Sequence, residues 1–437
     1  MDLLTGETEL EARLAGLSRD FALVLLSSLA RLGLGFVTSV ILARVLGPAD
    51  YGILIVLSAL IAVGHVVVDL GLSNAAVRHI AERLVVQLEA AVATGRVFFW
   101  LRVGLVLIFL GVMATVLTPV SHLLQLGGHE AALALALVGM LGTAMSGSVS
   151  ALLQACGRFG RISLLVLTNG SLSLVLAVVL AGWNRLTLES ALLSLGLGTS
   201  LATLVVGVRW LPRSWNLAPP SAQELRRYAP PLVRFGGWLW IGNCLAVVAS
   251  RLDLILIQQW STPAVVGVYA LAVSLVSKAG ILNSSLITVL LPSVSALKGR
   301  SEIWRYLRHG MPRSAIVALG FVAMVPIVGP FVGLVYGSTY AASVTLIKWL
   351  MVIAAFEIAV APLLVLVYPL DKPRLAAQAD GLRIGVLVAL GVLLTPMIGP
   401  IGLVIARLFA SVSGAGFVIV QLLRTGLIRP PAKAEIR

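Results

Sequence analysis

Charge is scarce in this chain. Asp, Glu, Lys and Arg make up 11 % of its 437 residues, against 59 % hydrophobic. Soluble domains carry roughly 25 % charged residues, so a soluble fold is excluded. Acidic residues are the scarcer sign, 18 against 32 Lys and Arg. Cysteine is almost missing: Cys156 and Cys244 stand alone in or beside apolar runs, and no disulfide is expected. There is no GxxxxGK[ST] loop, so the chain is not expected to hydrolyse ATP. It has no HExxH and no paired CxxC, and neither a metal nor a cofactor is expected. His65, His79, His122, His129 and His309 are scattered, all but His65 in or near loops. No large polar stretch exists to house a catalytic domain, so the chain does not read as an enzyme. The acidic, polar opening MDLLTGETEL lacks a basic segment before a short apolar core, and no cleavable signal peptide is expected.

What the chain has is long apolar runs, and its mean hydropathy is +1.03. A helix rising about 1.5 Å per residue needs about 20 apolar residues to cross about 30 Å of hydrocarbon. Barrel strands would need only about 10, in strict alternation. The runs therefore predict an all-α integral membrane protein with twelve spans: 20–46, 52–76, 96–119, 131–155, 162–183, 188–210, 233–259, 264–296, 312–336, 342–368, 375–396 and 399–423. Pro48, Pro119, Pro263, Pro369 and Pro373 fall at span ends, where a missing amide does least harm. Pro292, Pro326 and Pro362 fall inside spans and predict kinks. Ahead of the spans, Leu3, Leu10, Leu14 and Leu17 recur near helical spacing, so residues 1–19 read as an amphipathic segment at the cytosolic surface.

The loops give an orientation. Arg78, Arg83 and Arg96 lie between spans two and three, and Arg158 and Arg161 between four and five. Arg213, Arg226 and Arg227 follow span six, and Lys298, Arg300, Arg305 and Arg308 follow span eight. Lys372 and Arg374 follow span ten. The opposite loops carry almost nothing, Arg185 excepted. This asymmetry explains the net charge of +14 without nucleic acid, and it places both termini in the cytosol. Residues 211–232 form the longest polar connector, with Pro212, Pro219, Pro220, Pro230 and Pro231.

That connector falls where an internal repeat would put its boundary. Leu42–Leu60 (LARVLGPADYGILIVLSAL) aligns without a gap on Ile257–Leu275 (IQQWSTPAVVGVYALAVSL), 215 positions on. Pro48 falls on Pro263, Ala49 on Ala264, Gly52 on Gly267 and Leu60 on Leu275. Each stretch ends one apolar run, turns at Pro-Ala and starts another at Gly. The expected organisation is a cytosolic segment (1–19), a six-helix lobe (20–210), a linker (211–232), a second six-helix lobe related by a parallel repeat (233–423) and a cytosolic tail (424–437).

Ionisable groups deep in spans are costly and usually face water or a partner. Arg31, Asp69, Arg251, Asp253, Lys278, Glu357, Arg383 and Arg407 are such groups. Arg44, Arg102 and Lys348 sit near span ends and read as snorkelling side chains. Arg251 and Asp253, two residues apart, stand about 200° apart around a helix and cannot pair on one face. Cations dominate: Arg31, Arg251, Lys278 and Arg407 are set against Asp69, Asp253 and Glu357. A cationic cavity suits a phosphate or pyrophosphate headgroup. Those four cations are the candidate substrate-binding residues, and the three carboxylates are candidates for coupling a proton or sodium ion. Trp238 and Trp240 read as interfacial belt residues, with stacking on a sugar as the alternative.

The ILARVLGPADYGILIVLSAL stretch and the following DLGLSNAAVRHIAE resemble the start of bacterial polysaccharide-transport proteins. RLDLILIQQWSTPAVVGVYALA and VLLPSVSAL in the second half do so too. The chain is similar to oligosaccharide-lipid flippases of the O-antigen and capsule type, within the multidrug/oligosaccharidyl-lipid/polysaccharide exporter superfamily. The resemblance implies two six-helix lobes flanking a cavity open to alternate sides of the bacterial cytoplasmic membrane. It implies passage of undecaprenyl-pyrophosphate-linked oligosaccharide from the cytosolic to the outer leaflet. A lipid-linked oligosaccharide and membrane lipids are then the expected partners, with a polysaccharide polymerase and glycosyltransferases as candidates. Two other readings stand beside this one. A cation or drug antiporter of the same superfamily would want acidic residues to dominate the cavity. A non-transporting component of a polysaccharide synthesis complex would not need deep charges.

Overall fold

The computed structural model describes residues 2–126, 128–211, 215, 217–278, 300–366 and 373–424, without the side chains of 2–25, 208, 238, 300, 373, 374 and 376. The second half of the eighth expected span, with Pro292 and the VLLPSVSAL motif, lies outside the described residues. So do the tail beyond Arg424, the side chain of Trp238 and those of the amphipathic N-terminal segment.

The described residues are helical throughout. In chain order the helices are α1 (Asp2–Asp69), α2 (Leu72–Val86), α3 (Leu88–Thr115), α4 (Leu117–Leu123), α5 (Glu130–Ala155), α6 (Phe159–Gly182) and α7 (Leu188–Ala202). A π-helical segment, Thr203–Val208, continues α7. Then come α8 (Ala222–Trp260), α9 (Pro263–Lys278), α10 (Arg300–Ala323), α11 (Val328–Val335), α12 (Ser343–Val365), α13 (Pro373–Ile398) and α14 (Pro400–Arg424). Ten helical stretches among the described residues are long and apolar enough to cross a membrane.

Two breaks follow from the sequence. Gly47 adopts φ +73°, a left-handed conformation that costs glycine little, and Pro48 follows it without an amide to donate. Between Leu26 and Asp69 the apolar helix therefore bends where the first two spans were expected to part. At Pro326 the helix also breaks: α10 ends at Ala323, and a 3₁₀ turn, Val325–Ile327, leads into α11. Pro362 lies within the continuous α12.

The chain forms two compact units. The first comprises Met1–Leu46 and Ile53–Arg251, the second Gly47–Gly52 and Leu252–Arg437. In the first, α5 packs on α7, α6 on α7, and α2 on α3 and α5. In the second, α13 packs on α14, and α12 on α10 and α14.

The short piece 47–52 belongs to the second unit for a visible reason. Tyr51 is 1 % exposed and meets the Tyr340 ring edge-on, with centroids 6.2 Å apart, and Tyr340 meets Tyr336 at 6.1 Å. Gly52 and Gly267 cross in van der Waals contact. A Cβ on Gly52 would overlap the Pro263 carbonyl oxygen and come within 2.7 Å of the Gly267 nitrogen. A Cβ on Gly267 would overlap the Pro48 carbonyl oxygen. The residues aligned by the 215-position shift thus touch one another reciprocally.

The polar connector packs firmly. Leu211 and Trp215 are buried with Leu72, Ala76, Phe98 and Leu232 in one core of the first unit. The Trp215 ring fills the space a side chain on Gly95 would need. Trp100 Nε1 donates to the Leu217 carbonyl at 2.9 Å. Ser221 and Glu224 then form a reciprocal cap on α8: each backbone N–H donates to the other's side chain, at 2.8 and 3.2 Å. Glu224 also pairs with Arg96 of α3.

Candidate functional site

The deep charges gather into one cluster per unit. In the first unit, α1 carries His65 and Asp69, α2 carries Ser73, and α3 carries Arg102. Gly71, at φ +71°, turns the chain between α1 and α2 and leaves Ser73 back over Asp69. Arg102 Nη1 donates to Asp69 Oδ1 in a close ion pair, and to Ser73 Oγ at 2.6 Å. Ser73 Oγ donates to Asp69 Oδ1 at 2.6 Å. Arg102 Nη2 lies 3.4 Å from the His65 ring nitrogens. The arginine is 1 % exposed, and its Nε has no hydrogen-bond partner among the described residues. Gly147 of α5 leaves room for it, since a Cβ there would stand 3.4 Å from Arg102 Nη2. Arg102 therefore does not snorkel, contrary to its place near a span end. Asp69 draws it inward, because a buried carboxylate left without a partner is the costlier arrangement.

The second unit spreads its polar cluster over five helices. Asp253 of α8 is 2 % exposed. It accepts from Tyr269 Oη of α9 at 3.1 Å and from Arg407 Nη1 of α14 at 2.9 Å, and its other oxygen caps the Leu254 amide at 2.9 Å. Glu357 of α12 accepts from Arg383 Nη2 of α13 at 2.9 Å and from Ser411 Oγ of α14 at 2.6 Å. Arg407 and Ser411 are one turn apart on α14, so that helix joins the two pairs. Unlike Arg102, the two arginines stay partly open, 38 % exposed at Arg407 and 40 % at Arg383.

Every deep carboxylate expected to couple an ion is thus in an ion pair: Asp69 with Arg102, Asp253 with Arg407, Glu357 with Arg383. Of the four candidate cations, Arg407 is in one of these pairs. Arg31 is exposed on α1, and Arg251 is half-buried on α8. Among the described residues no carboxylate lies within 4 Å of either guanidinium. Lys278 Nζ donates to Ser274 Oγ at 3.2 Å, one turn back on α9. Arg251 and Asp253 diverge as the helical angle requires, with Asp253 turned into the packed interior. Trp240 Nε1 donates to the carbonyls of Val66 and Val67 at 3.1 and 3.2 Å, which ties α8 to α1 within the first unit.

Outside the spans, Arg78 of α2 donates to Glu82 at 2.8 Å and holds that exposed carboxyl below its ordinary range. The Ser221 amide does most to lower the Glu224 carboxyl, helped by the Ser221 hydroxyl and Arg96.

The fold is that of known membrane transporters. The solved structure described as "Lipid II flippase MurJ, inward closed conformation" superposes with a TM-score of 0.72 at 12 % identity, covering 92 % of this chain and 87 % of that one. An inward-facing multidrug resistance MATE transporter of the MOP superfamily gives 0.67 at 14 % identity, covering 92 % and 96 %. A MOP superfamily transporter from Pyrococcus furiosus, described by a binding pocket of reverse polarity, gives 0.56 at 14 %, covering 94 % and 95 %. No curated protein matches the chain. The family model described as "Polysaccharide biosynthesis protein" matches residues 17–298, more than half of the sequence. The chain is a member of the polysaccharide biosynthesis protein family, built on the fold of the MOP superfamily transporters.

Proposed function

We propose that this protein is a flippase for an oligosaccharide carried on undecaprenyl pyrophosphate, moved from the cytosolic to the outer leaflet by alternating access. The observation that carries the reading is the charge balance. Every deep carboxylate is neutralised by an arginine, while Arg31 and Arg251 face no carboxylate among the described residues. Such a surplus suits an anionic headgroup, while Asp69, Asp253 and Glu357 are already committed to arginines rather than open to an organic cation. Arg31, Arg251 and Lys278 hold the pyrophosphate in this account, with Arg407 available through its open face. The sugar and pyrophosphate pass through a wet path while the prenyl tail stays in lipid, which avoids dragging polar groups through hydrocarbon. Asp253 and Glu357 are the carboxylates best placed for ion coupling, because their arginines are partly open.

The architecture proposed with it has twelve spans in two six-helix lobes with cytosolic termini, in the bacterial cytoplasmic membrane. The break at Gly47 divides 26–69 into two spans, and α9 begins another apolar span; counted so, the described helices support twelve. The reciprocal Gly52–Gly267 contact supports the parallel repeat. A polymerase and glycosyltransferases are proposed partners.

The antiporter reading is favoured by the MATE likeness. One experiment separates the two. Purified protein is placed in liposomes with a fluorescent undecaprenyl-pyrophosphate glycan, and outer-leaflet accessibility is followed beside ethidium efflux under a proton or sodium gradient. Protein-dependent glycan flipping without ethidium movement supports the flippase. Ion-driven ethidium efflux without flipping overturns it.

A further inference from the structure

The first unit carries a shallow, open apolar channel away from its charge cluster. It measures about 490 Å³ and runs between α6 and the end of α7 with its π-helical continuation, lined by Leu164, Leu172, Val175, Leu201 and Val205 among others. Pockets for bound small molecules measure about 300–1,000 Å³. Along α6 the lining extends from Leu164 to Val175, about 16 Å at about 1.5 Å per residue. That is close to half of a hydrocarbon core about 30 Å thick, so the channel has the depth of one leaflet. The π-helical segment shapes one wall. Its wide turn leaves Leu204 and Val205 60 and 63 % exposed, while Gly207 lets it settle against Val149 of α5.

Both walls end in arginine at the same end. Arg161 lies one turn before Leu164, Arg158 caps α6, and Arg209 lies one turn beyond Val205. Arg158 and Arg161 both donate to the Trp210 carbonyl, a neutral acceptor that leaves their charge uncompensated. Arg209 is exposed. Among the described residues no carboxylate lies within 4 Å of any of the three. Three clustered cations at the mouth of a channel one leaflet deep match a single hydrocarbon chain ending in more than one negative charge. A diphosphate meets that description better than a phosphodiester, which carries a single charge.

We propose that this channel and its arginine mouth form a docking site for the prenyl diphosphate carrier before it passes to the deep cations, with the diphosphate at Arg158, Arg161 and Arg209 and the first part of the tail along α6. The inference rests on the flippase reading and adds a tail site that the deep cations do not provide. The open hydroxyl and amide edges of the channel are few: Thr168 Oγ1 donates to the Leu164 carbonyl within its own helix.

The test uses the full chain in phosphatidylcholine nanodiscs with a diazirine-tailed polyprenyl diphosphate, followed by peptide mapping of the photolabel. Labelling is expected in 162–176 and 200–208. It should fall at least fivefold in Leu172→Trp and at least twofold in Arg209→Gln, an exposed site whose loss should spare folding. Unlabelled polyprenyl diphosphate should compete, and phosphatidylglycerol should not. Labelling elsewhere, or labelling indifferent to both substitutions, overturns the site. Equal competition by phosphatidylglycerol overturns the carrier as occupant and makes the channel a general anionic-lipid site. Glycan flipping by the unmodified protein is scored separately, so the site fails alone if flipping persists and labelling maps elsewhere.

Discussion

The two units neutralise their deep carboxylates in different ways. In the first, one buried arginine closes on one aspartate, with Ser73 and His65 beside its guanidinium. In the second, two acids share a chain of arginines, a tyrosine and a serine over α8, α9, α12, α13 and α14, and both arginines keep a face open. A sealed pair fixes the packing of its helices, because opening it strands a charge. A chain of partly open pairs can exchange partners, because each arginine has donors to spare. We propose that the first cluster holds its unit together and that the second serves moving parts and ion coupling.

The largest effect that would sharpen this contrast is at Arg102. Arg102→Met leaves Asp69 buried without its cation and should cost about 3–5 kcal/mol, read as a sharp drop in thermal stability in detergent. Adding Asp69→Asn should recover most of the loss. If the double variant is no more stable than the single, the sealed-pair account is wrong. Next comes Gly267→Ala, whose Cβ has no room against the Pro48 carbonyl; overpacking of this kind costs about 1–3 kcal/mol. Ala at Gly242, where a Cβ meets nothing within 4 Å, should be nearly silent in the same melt.

A smaller stability effect is expected at Arg407. Arg407→Gln removes a charged hydrogen bond but leaves Asp253 with Tyr269 and the Leu254 amide, so the cost should be about 1–2 kcal/mol. Transport under an ion gradient should fall by much more than stability. Equal losses at Arg102 and Arg407 in both readouts would erase the distinction between the units. The smallest effect is in the connector. The Glu224 carboxyl is held below its ordinary 4.5, chiefly by the Ser221 amide, so the undocked form takes up a proton first as the pH falls. The contribution of Glu224 is complete above pH 4.5 and is lost as the pH drops through the lower folded value. Amide protection over 217–228 should weaken across that acid range in the wild type and lose its pH dependence in Glu224→Gln.

Much of the fold was legible because membrane spans are long, apolar and bounded by cations. The turn at Pro48 was legible too, since a glycine and a proline together end a helix. That Gly52 and Gly267 would meet was not, because a repeat in sequence says nothing of which copies touch. The pairings of the deep charges were hidden for the same reason: Asp253 and Arg407, or Glu357 and Arg383, are brought together only by helix packing. Arg102 was misread because distance from a span end is a poor guide to depth once an acid lies within reach. One signal was available. His65 and Asp69 stand four residues apart on one face of α1, which marks where a partner should come. The connector was legible as a polar, proline-rich linker, but not its docking, for which Trp215 and Leu211 supply the apolar anchors.

The central claim is that the surplus cations Arg31 and Arg251 hold an anionic lipid-linked glycan. The most direct measurement compares flipping of the fluorescent undecaprenyl-pyrophosphate glycan by Arg31→Gln and Arg251→Gln with that of wild type, over a range of substrate concentrations. The account predicts a rise of at least tenfold in the concentration needed for half-maximal flipping for each variant, with thermal stability unchanged. Unchanged concentration dependence in both would contradict it.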